Sequence, residues 1–225
     1  MDALIHSFSV KSLWGFKNID WTQMNPDVNI LVGVNGCGKS TLLGIMNAYY
    51  SGLVEGEARN YVHVSALPEK LPAEVALLLL RPYEGLQDLG NVISQVLAQE
   101  ERPQQLMDIL DEMFAPTGKK ADVLDGNMVF HQQGQVLGYE KLSTGEKQLL
   151  LILSRVYLSR KGPAVIFLDE PEISLHISWQ RQIVEVIRTL NPQSQLFISS
   201  HSPSIFGSGW GDKVIYFEDI ESENI

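Results

Sequence analysis

Gly33-Val34-Asn35-Gly36-Cys37-Gly38-Lys39-Ser40 is the stretch that orders the reading of this chain. Its glycines let consecutive backbone N–H groups turn inward around phosphate oxygens, and a helix after it would offer a positive N-terminal end. Lys39 has the reach for β- and γ-phosphates, and the Ser40 hydroxyl suits Mg²⁺. Upstream, Val28-Asn29-Ile30-Leu31-Val32 reads as a buried strand; downstream, Ser40-Thr41-Leu42-Leu43-Gly44-Ile45-Met46 opens a helix. Strand, glycine-rich loop and helix in this order predict a site for a nucleoside triphosphate with Mg²⁺. Its expected lining is Asn35, Gly36, Cys37, Gly38, Lys39, Ser40 and Thr41. A glycine-rich turn with an incidental lysine would not require the flanking strand and helix.

The 225 residues suffice for one large α/β domain with a proper core, and 44% of them are hydrophobic, an ordinary fraction. The longest apolar run, Val75–Leu80, stops at Arg81-Pro82, far short of a membrane span. No signal-peptide pattern opens the chain, and a single cysteine, Cys37, excludes an internal disulfide. Both features suit a cytoplasmic setting. In the phosphate loop, Cys37 reads as a small side chain that fits there. The formal net charge of −10 disfavours nonspecific adhesion to nucleic acid, and no dense Lys/Arg run marks a basic patch.

Outward from the loop, Leu4–Val10 and Ile19–Trp21 alternate as strands of a hairpin. Residues 51–126 carry little chemistry and read as a small helical lobe. Tyr61–Ser65 is a candidate short strand, and Ala73–Leu80, Asp88–Gln99 and Gln104–Phe114 are expected helices. The last shows Leu106, Ile109, Leu110 and Met113 at helical spacing before the Ala115-Pro116-Thr117-Gly118 break. Beyond it, Met128–His131 and Val136–Tyr139 form a hairpin, a helix spans Gly145–Ser159, and Val165–Leu168 is a continuous apolar strand. Helix Ser178–Leu190, strand Leu196–Ser199 and strand Lys213–Phe217 complete the expected order. The fold class is α/β: a mostly parallel sheet with an N-terminal antiparallel part, its core in residues 1–50 and 127–225.

Three further motifs carry chemistry. Val165-Ile166-Phe167-Leu168-Asp169-Glu170 ends an apolar strand in two carboxylates, at the sheet edge where ligands bind in open α/β folds. Asp169 suits the Mg²⁺ shell, and Glu170 suits polarising an attacking water. Leu142-Ser143-Thr144-Gly145-Glu146-Lys147-Gln148 precedes a helix, with Ser143 and Glu146 spaced as a capping box. The same helix end is a second anion site, in which Ser143, Gly145 and Glu146 are the expected nucleotide contacts. Phe197-Ile198-Ser199-Ser200-His201-Ser202-Pro203 ends another buried strand in a histidine.

Taken together these motifs resemble those of ABC-type ATPases, with Leu142–Gln148 in the place of that family's signature. Glu170-Pro171-Glu172-Ile173-Ser174-Leu175-His176, followed by Trp179-Gln180, is similar to the soluble branch of SMC, RecF and OLD-like proteins. Many ATPases of DNA repair and antiphage defence belong to that branch. Transporter ATPases usually carry an aspartate where His176 stands. His176 reads equally as a helix cap and as a catalytic group. The resemblance implies ATP hydrolysis, with Glu170 and His201 catalytic and Ser40 and Asp169 on the metal. It also implies an ATP-dependent homodimer, in which Ser143 and Gly145 of one chain face the phosphate loop of the other. No Q-loop glutamine or adenine-stacking residue is assigned; Gln87, Gln95, Gln132 and Phe16 are poor fits.

The function implied is a P-loop ATPase that drives or gates a separate effector, such as a nuclease, with nucleic acid reached only through the complex and no membrane involved. The alternative is the nucleotide-binding subunit of a membrane transporter. A structural clamp with negligible turnover comes third.

Overall fold

Ala164–Asp169 explains most of the architecture: all six residues are buried, so this strand must be covered on both faces. The computed structural model describes residues 3–53, 63–207 and 209–223. In chain order the strands and helices are β1 (Ser7–Leu13), β2 (Lys17–Trp21), β3 (Val28–Val32), α1 (Lys39–Tyr50), β4 (His63–Leu67) and β5 (Ala76–Leu80). There follow α2 (Leu89–Gln99), α3 (Gln104–Phe114), β6 (Lys120–Leu124), β7 (Asn127–Gln132), β8 (Gln135–Gly138) and α4 (Thr144–Ser159). The remainder is β9 (Ala164–Asp169), α5 (Ile177–Gln180), α6 (Ile183–Leu190), β10 (Ser194–Ser200), α7 (Pro203–Phe206), β11 (Val214–Tyr216), α8 (Phe217–Ile220) and β12 (Glu221–Glu223).

Among the described residues, the central sheet has the order β11-β3-β10-β9-β5, with every pairing parallel. An antiparallel sheet, β12-β2-β1-β4, lies on one side, and an antiparallel β6-β7-β8 sheet supports the helices on the other. Side chains alternate between two cores, as the two-residue period of a strand demands. On β9, Val165 and Phe167 join α1 and the antiparallel sheet, where Trp21 meets Phe197 edge-on at 5.6 Å. Ile166 and Leu168 face α2, α3, α4 and α6. Each such fully buried side chain is worth about 1.5–3 kcal/mol.

The α/β class and mostly parallel sheet agree with expectation; several elements do not. Ala73–Leu80, expected as helix, contains strand β5, registered Leu80↔Leu168 against β9. Helix Ser178–Leu190 is interrupted at Arg181 and Gln182, leaving α5 and α6. The closing strand ends at Tyr216, and Phe217–Ile220 turns the chain so that β12 can pair with β2. The expected strand Tyr61–Ser65 is seen from His63 onward, its first two residues lying outside the described ones. Within 51–126, α2 and α3 form the helical layer, whereas β4 and β5 lie in the antiparallel and parallel sheets.

No described helix is long and apolar enough to cross a membrane.

Candidate functional site

β3 carries the chain to the C-terminal edge of the parallel sheet, and the loop to α1 turns there through Gly36 (φ 79°) and Gly38 (φ 123°). These backbone angles lie in the region open to glycine. A Cβ on Gly36 would meet nothing within 4 Å, so the mouth of the loop is open. Its underside is tightly packed: a Cβ on Gly33 would stand 2.9 Å from Phe217 Cβ, and one on Gly38 would stand 2.9 Å from the Trp14 ring. Lys17 braces the same loop, donating to the Cys37 carbonyl at 3.4 Å and to Glu221 at 2.6 Å with the Phe217 ring beneath it.

Lys39 is the first residue of α1 and only 3% exposed. Its ammonium donates to the carbonyls of Gly33 (3.1 Å) and Val34 (3.2 Å) and lies 2.7 Å from His201 Nε2. His201 Nε2 in turn lies 3.3 Å from Glu170 Oε1. The fold therefore brings Lys39, His201 and Glu170, far apart in sequence, to one point.

The carboxylate strand is braced from β10. Ser199 is registered opposite Asp169, and its hydroxyl donates to Asp169 Oδ1 at 2.5 Å. The Glu170 N–H donates to the Ser199 carbonyl at 3.0 Å. Glu170 itself is left-handed (φ 42°, ψ 55°), a conformation that costs a non-glycine residue about 1–3 kcal/mol. Glu172, two residues on, holds the histidine loop: its Oε1 accepts from the His201 N–H (2.5 Å) and the Ser200 hydroxyl (3.0 Å). Ser40 and Asp169 make a hard-oxygen donor pair, which fits Mg²⁺ because that ion keeps several waters and takes phosphate oxygens besides one or two protein groups.

The capping box of Ser143 and Glu146 is formed as the sequence implies. Ser143 caps α4, accepting from the Glu146 N–H, while Glu146 Oε2 accepts from the Ser143 N–H at 2.8 Å. The Ser143 side is exposed, as a ligand site requires, but Glu146 is buried. Its other oxygen accepts from Lys119 Nζ at 2.8 Å, so both carboxylate oxygens have partners. Burial raises the Glu146 carboxyl pKa, but the Lys119 ammonium and the Ser143 N–H outweigh that and hold it below the usual carboxylate value. Ser143, Gly145, Ser174 and Trp179 line a cavity of about 510 Å³ to which no phosphate-loop residue contributes. His176 caps α5, its Nδ1 accepting from the Ser178 N–H, which favours the capping role of the two weighed for it.

Sequence reasoning passed over Arg81, Lys119, Glu172 and Ser199. Arg81 directly follows β5 and lies 3.6 Å from Asp169 Oδ2, and no glutamine motif marks it. The Glu-Pro-Glu triplet and the Ser199-Ser200 pair were visible, but their hydrogen bonds span about 30 residues of chain. Lys119 sits in a polar turn that carries no signal.

A family described as "AAA domain, putative AbiEii toxin, Type IV TA system" matches residues 97–207. An SMC head solved bound to the C-winged helix domain of ScpA shares the fold, with TM-score 0.61, 12% identity, and coverage of 94% of this chain and 93% of that one. ABC transporter G family member 3 of Dictyostelium discoideum is 22% identical over 240 residues, taking in 96% of this chain and 16% of its own. Arabinose import ATP-binding protein AraG of Mannheimia succiniciproducens is 28% identical over 229 residues, 91% of this chain and 39% of its own. The chain thus spans less than half the length of these two relatives. The fold is that of an SMC head, and the resemblance to ABC-type ATPases extends over nearly the whole chain.

Proposed function

We propose that this ABC/SMC-like ATPase chain, acting as one domain over residues 1–225, binds ATP with Mg²⁺ and hydrolyses it between two copies. The observation that carries the reading is the convergence of Lys39, His201 and Glu170 at the open mouth of the phosphate loop. The N–H groups of Asn35 to Thr41 would cradle the phosphates. Lys39 would exchange its loop carbonyls and His201 for phosphate oxygens, freeing His201 Nε2. Ser40 and Asp169 would hold Mg²⁺, which when bound neutralises phosphate charge. Glu170 would orient the attacking water and accept its proton, and His201 would hold the γ-phosphate side of that water.

Ser143 and Gly145 line a cavity apart from the phosphate loop, which supports completion of the site by a second copy. Closure on ATP and reopening after hydrolysis would then be a ligand-driven population shift. An effector protein, nuclease or otherwise, in DNA repair or antiphage defence would read the closed state. Nucleic acid would be reached through that complex, and the setting would be cytoplasmic.

The test is light scattering of Glu170→Gln with and without ATP and Mg²⁺. The expected result is a shift from monomer to dimer that Ser143→Arg abolishes and that Lys39→Ala, which should not bind ATP tightly, never shows. A mass indifferent to ATP in all three overturns the two-copy mechanism. The names of the import relatives favour a second reading, a transporter's nucleotide-binding subunit. Co-sedimentation of the native protein with membranes would select it.

A further inference from the structure

The metal-side carboxylate already has a cation. Register along β5 and β9 pairs Leu80 with Leu168, which sets Arg81 level with Asp169. Arg81 Nε lies 3.6 Å from Asp169 Oδ2, and among the described residues no other basic side chain is in ion-pair range of that carboxylate. The other oxygen is taken by Ser199. Oδ2 is therefore the oxygen left for an incoming ion, and Arg81 stands beside it.

The arrangement is built rather than incidental. Arg81 Nη2 occupies the space over Gly44, 3.0 Å from where a Cβ there would lie. A glycine inside a helix costs about 1 kcal/mol relative to alanine, so α1 gives up stability at the one point where the guanidinium rests. The backbone of this segment is fixed by Gln148 of α4, which is 2% exposed: its side chain donates to the Arg81 carbonyl (3.1 Å) and accepts from the Tyr83 N–H (2.9 Å). The head of Arg81 is freer. Its side chain is 38% exposed, and its other partner is the exposed Glu84 at 3.7 Å. A pinned root and a movable head suit a group that must step aside. Arginine keeps its charge throughout, so it can leave Asp169 only by moving.

We propose that Arg81 is an internal counter-ion that competes with Mg²⁺ for Asp169, so that metal entry and Arg81 release are one exchange. It is a positioning residue: it sets how much Mg²⁺ the site needs. The proposal rests on the reading that Ser40 and Asp169 hold the metal. The exchange raises the free Mg²⁺ needed for half-saturation above what the hydroxyl and carboxylate alone would set.

The experiment titrates Mg²⁺ against a mant-labelled, non-hydrolysable ATP analogue on the whole chain, following fluorescence in wild type, Arg81→Met and Arg81→Lys, with an EDTA arm. Methionine keeps the apolar stem and removes the charge. A part-exposed pair predicts that Arg81→Met reaches half-saturation at about threefold to fivefold lower Mg²⁺, with Arg81→Lys near wild type and affinity in EDTA unchanged. Gly44→Ala crowds Nη2 without replacing Arg81 and should move the midpoint the same way by a smaller factor. An unchanged midpoint in Arg81→Met overturns the exchange while leaving the ATP reading intact. Loss of analogue binding in EDTA as well as in saturating Mg²⁺ makes Arg81 a direct phosphate ligand and also overturns it. A wild type that binds no analogue at any Mg²⁺ concentration overturns the ATP reading itself.

Discussion

Replacing Glu172 tests whether the histidine loop is held from the carboxylate loop. Glu172 Oε1 accepts two hydrogen bonds, from the His201 N–H at 2.5 Å and the Ser200 hydroxyl at 3.0 Å, while its Oε2 is buried without a partner among the described residues. Hydrogen bonds to a charged group contribute about 1.5–3 kcal/mol each, so truncation forfeits about 3–6 kcal/mol. Removing the unpartnered Oε2 returns about 1–3 kcal/mol of desolvation. Taken at their midpoints, the two leave a cost of about 2–3 kcal/mol for Glu172→Ala in urea denaturation. Glu172→Gln keeps an acceptor for His201 and should cost about 1 kcal/mol. Turnover should fall further than stability implies, because a shift of about 1 Å at a group near the chemistry costs on the order of 100-fold. Measured in ATP-saturated assays, the losses of Glu172→Ala and His201→Ala should not add, since one acts through the other. An alanine variant with wild-type stability and turnover, or a double variant whose losses simply multiply, would refute the bracing role.

Two further outcomes follow from contacts at the cap of α4. Lys119→Met leaves Glu146 buried beside the Ser143 N–H alone, and breaking a buried pair costs about 3–5 kcal/mol. Because the Glu146 pKa is depressed in the folded protein, this stability is present above the unfolded carboxylate value of about 4.3 and is lost as pH falls through the lower folded value. Melting curves should show the widest gap between variant and wild type near neutral pH, narrowing below about pH 4; a gap constant with pH would count against the pair. Gly145→Ala places a Cβ 2.9 Å from the Ser174 carbonyl oxygen, a backbone atom that cannot rotate away. It should lower stability by about 1–3 kcal/mol and weaken ATP-dependent association, and a variant melting with wild type would show that Ser174 gives way freely.

Where chemistry and local geometry coincide, the chain could be read directly. The phosphate loop, the Ser143 cap and the bounds of α3 follow from glycine spacing, a capping pair and a 3.6-residue period, all local signals. Ala76–Leu80 was misread because a short apolar run has no period to separate strand from helix; only its partner β9 decides. The break at Arg181 and Gln182 carries no glycine or proline, and it arises where Gln180 is drawn to the Leu175 carbonyl and the Ser202 hydroxyl. Arg81 and Lys119 are the clearest cases of what stays hidden. Each is an ordinary basic residue until the fold sets a distant carboxylate beside it.

The packing beneath the phosphate loop has a consequence for how the chain matures. Gly33 and Gly38 rest on Phe217, and Lys17 is clamped between the Cys37 carbonyl and Glu221, so part of the loop's floor comes from residues about 180 positions further along. Contacts of such long sequence separation carry a loop-closure cost that local ones do not. A growing or shortened chain that ends before Phe217 would contain the whole glycine-lysine-serine motif, the carboxylate strand and His201, yet lack part of the surface against which the loop is moulded. A chain ending before Phe217 should therefore hold the phosphate loop less firmly than the full one, which protease susceptibility of the loop would report.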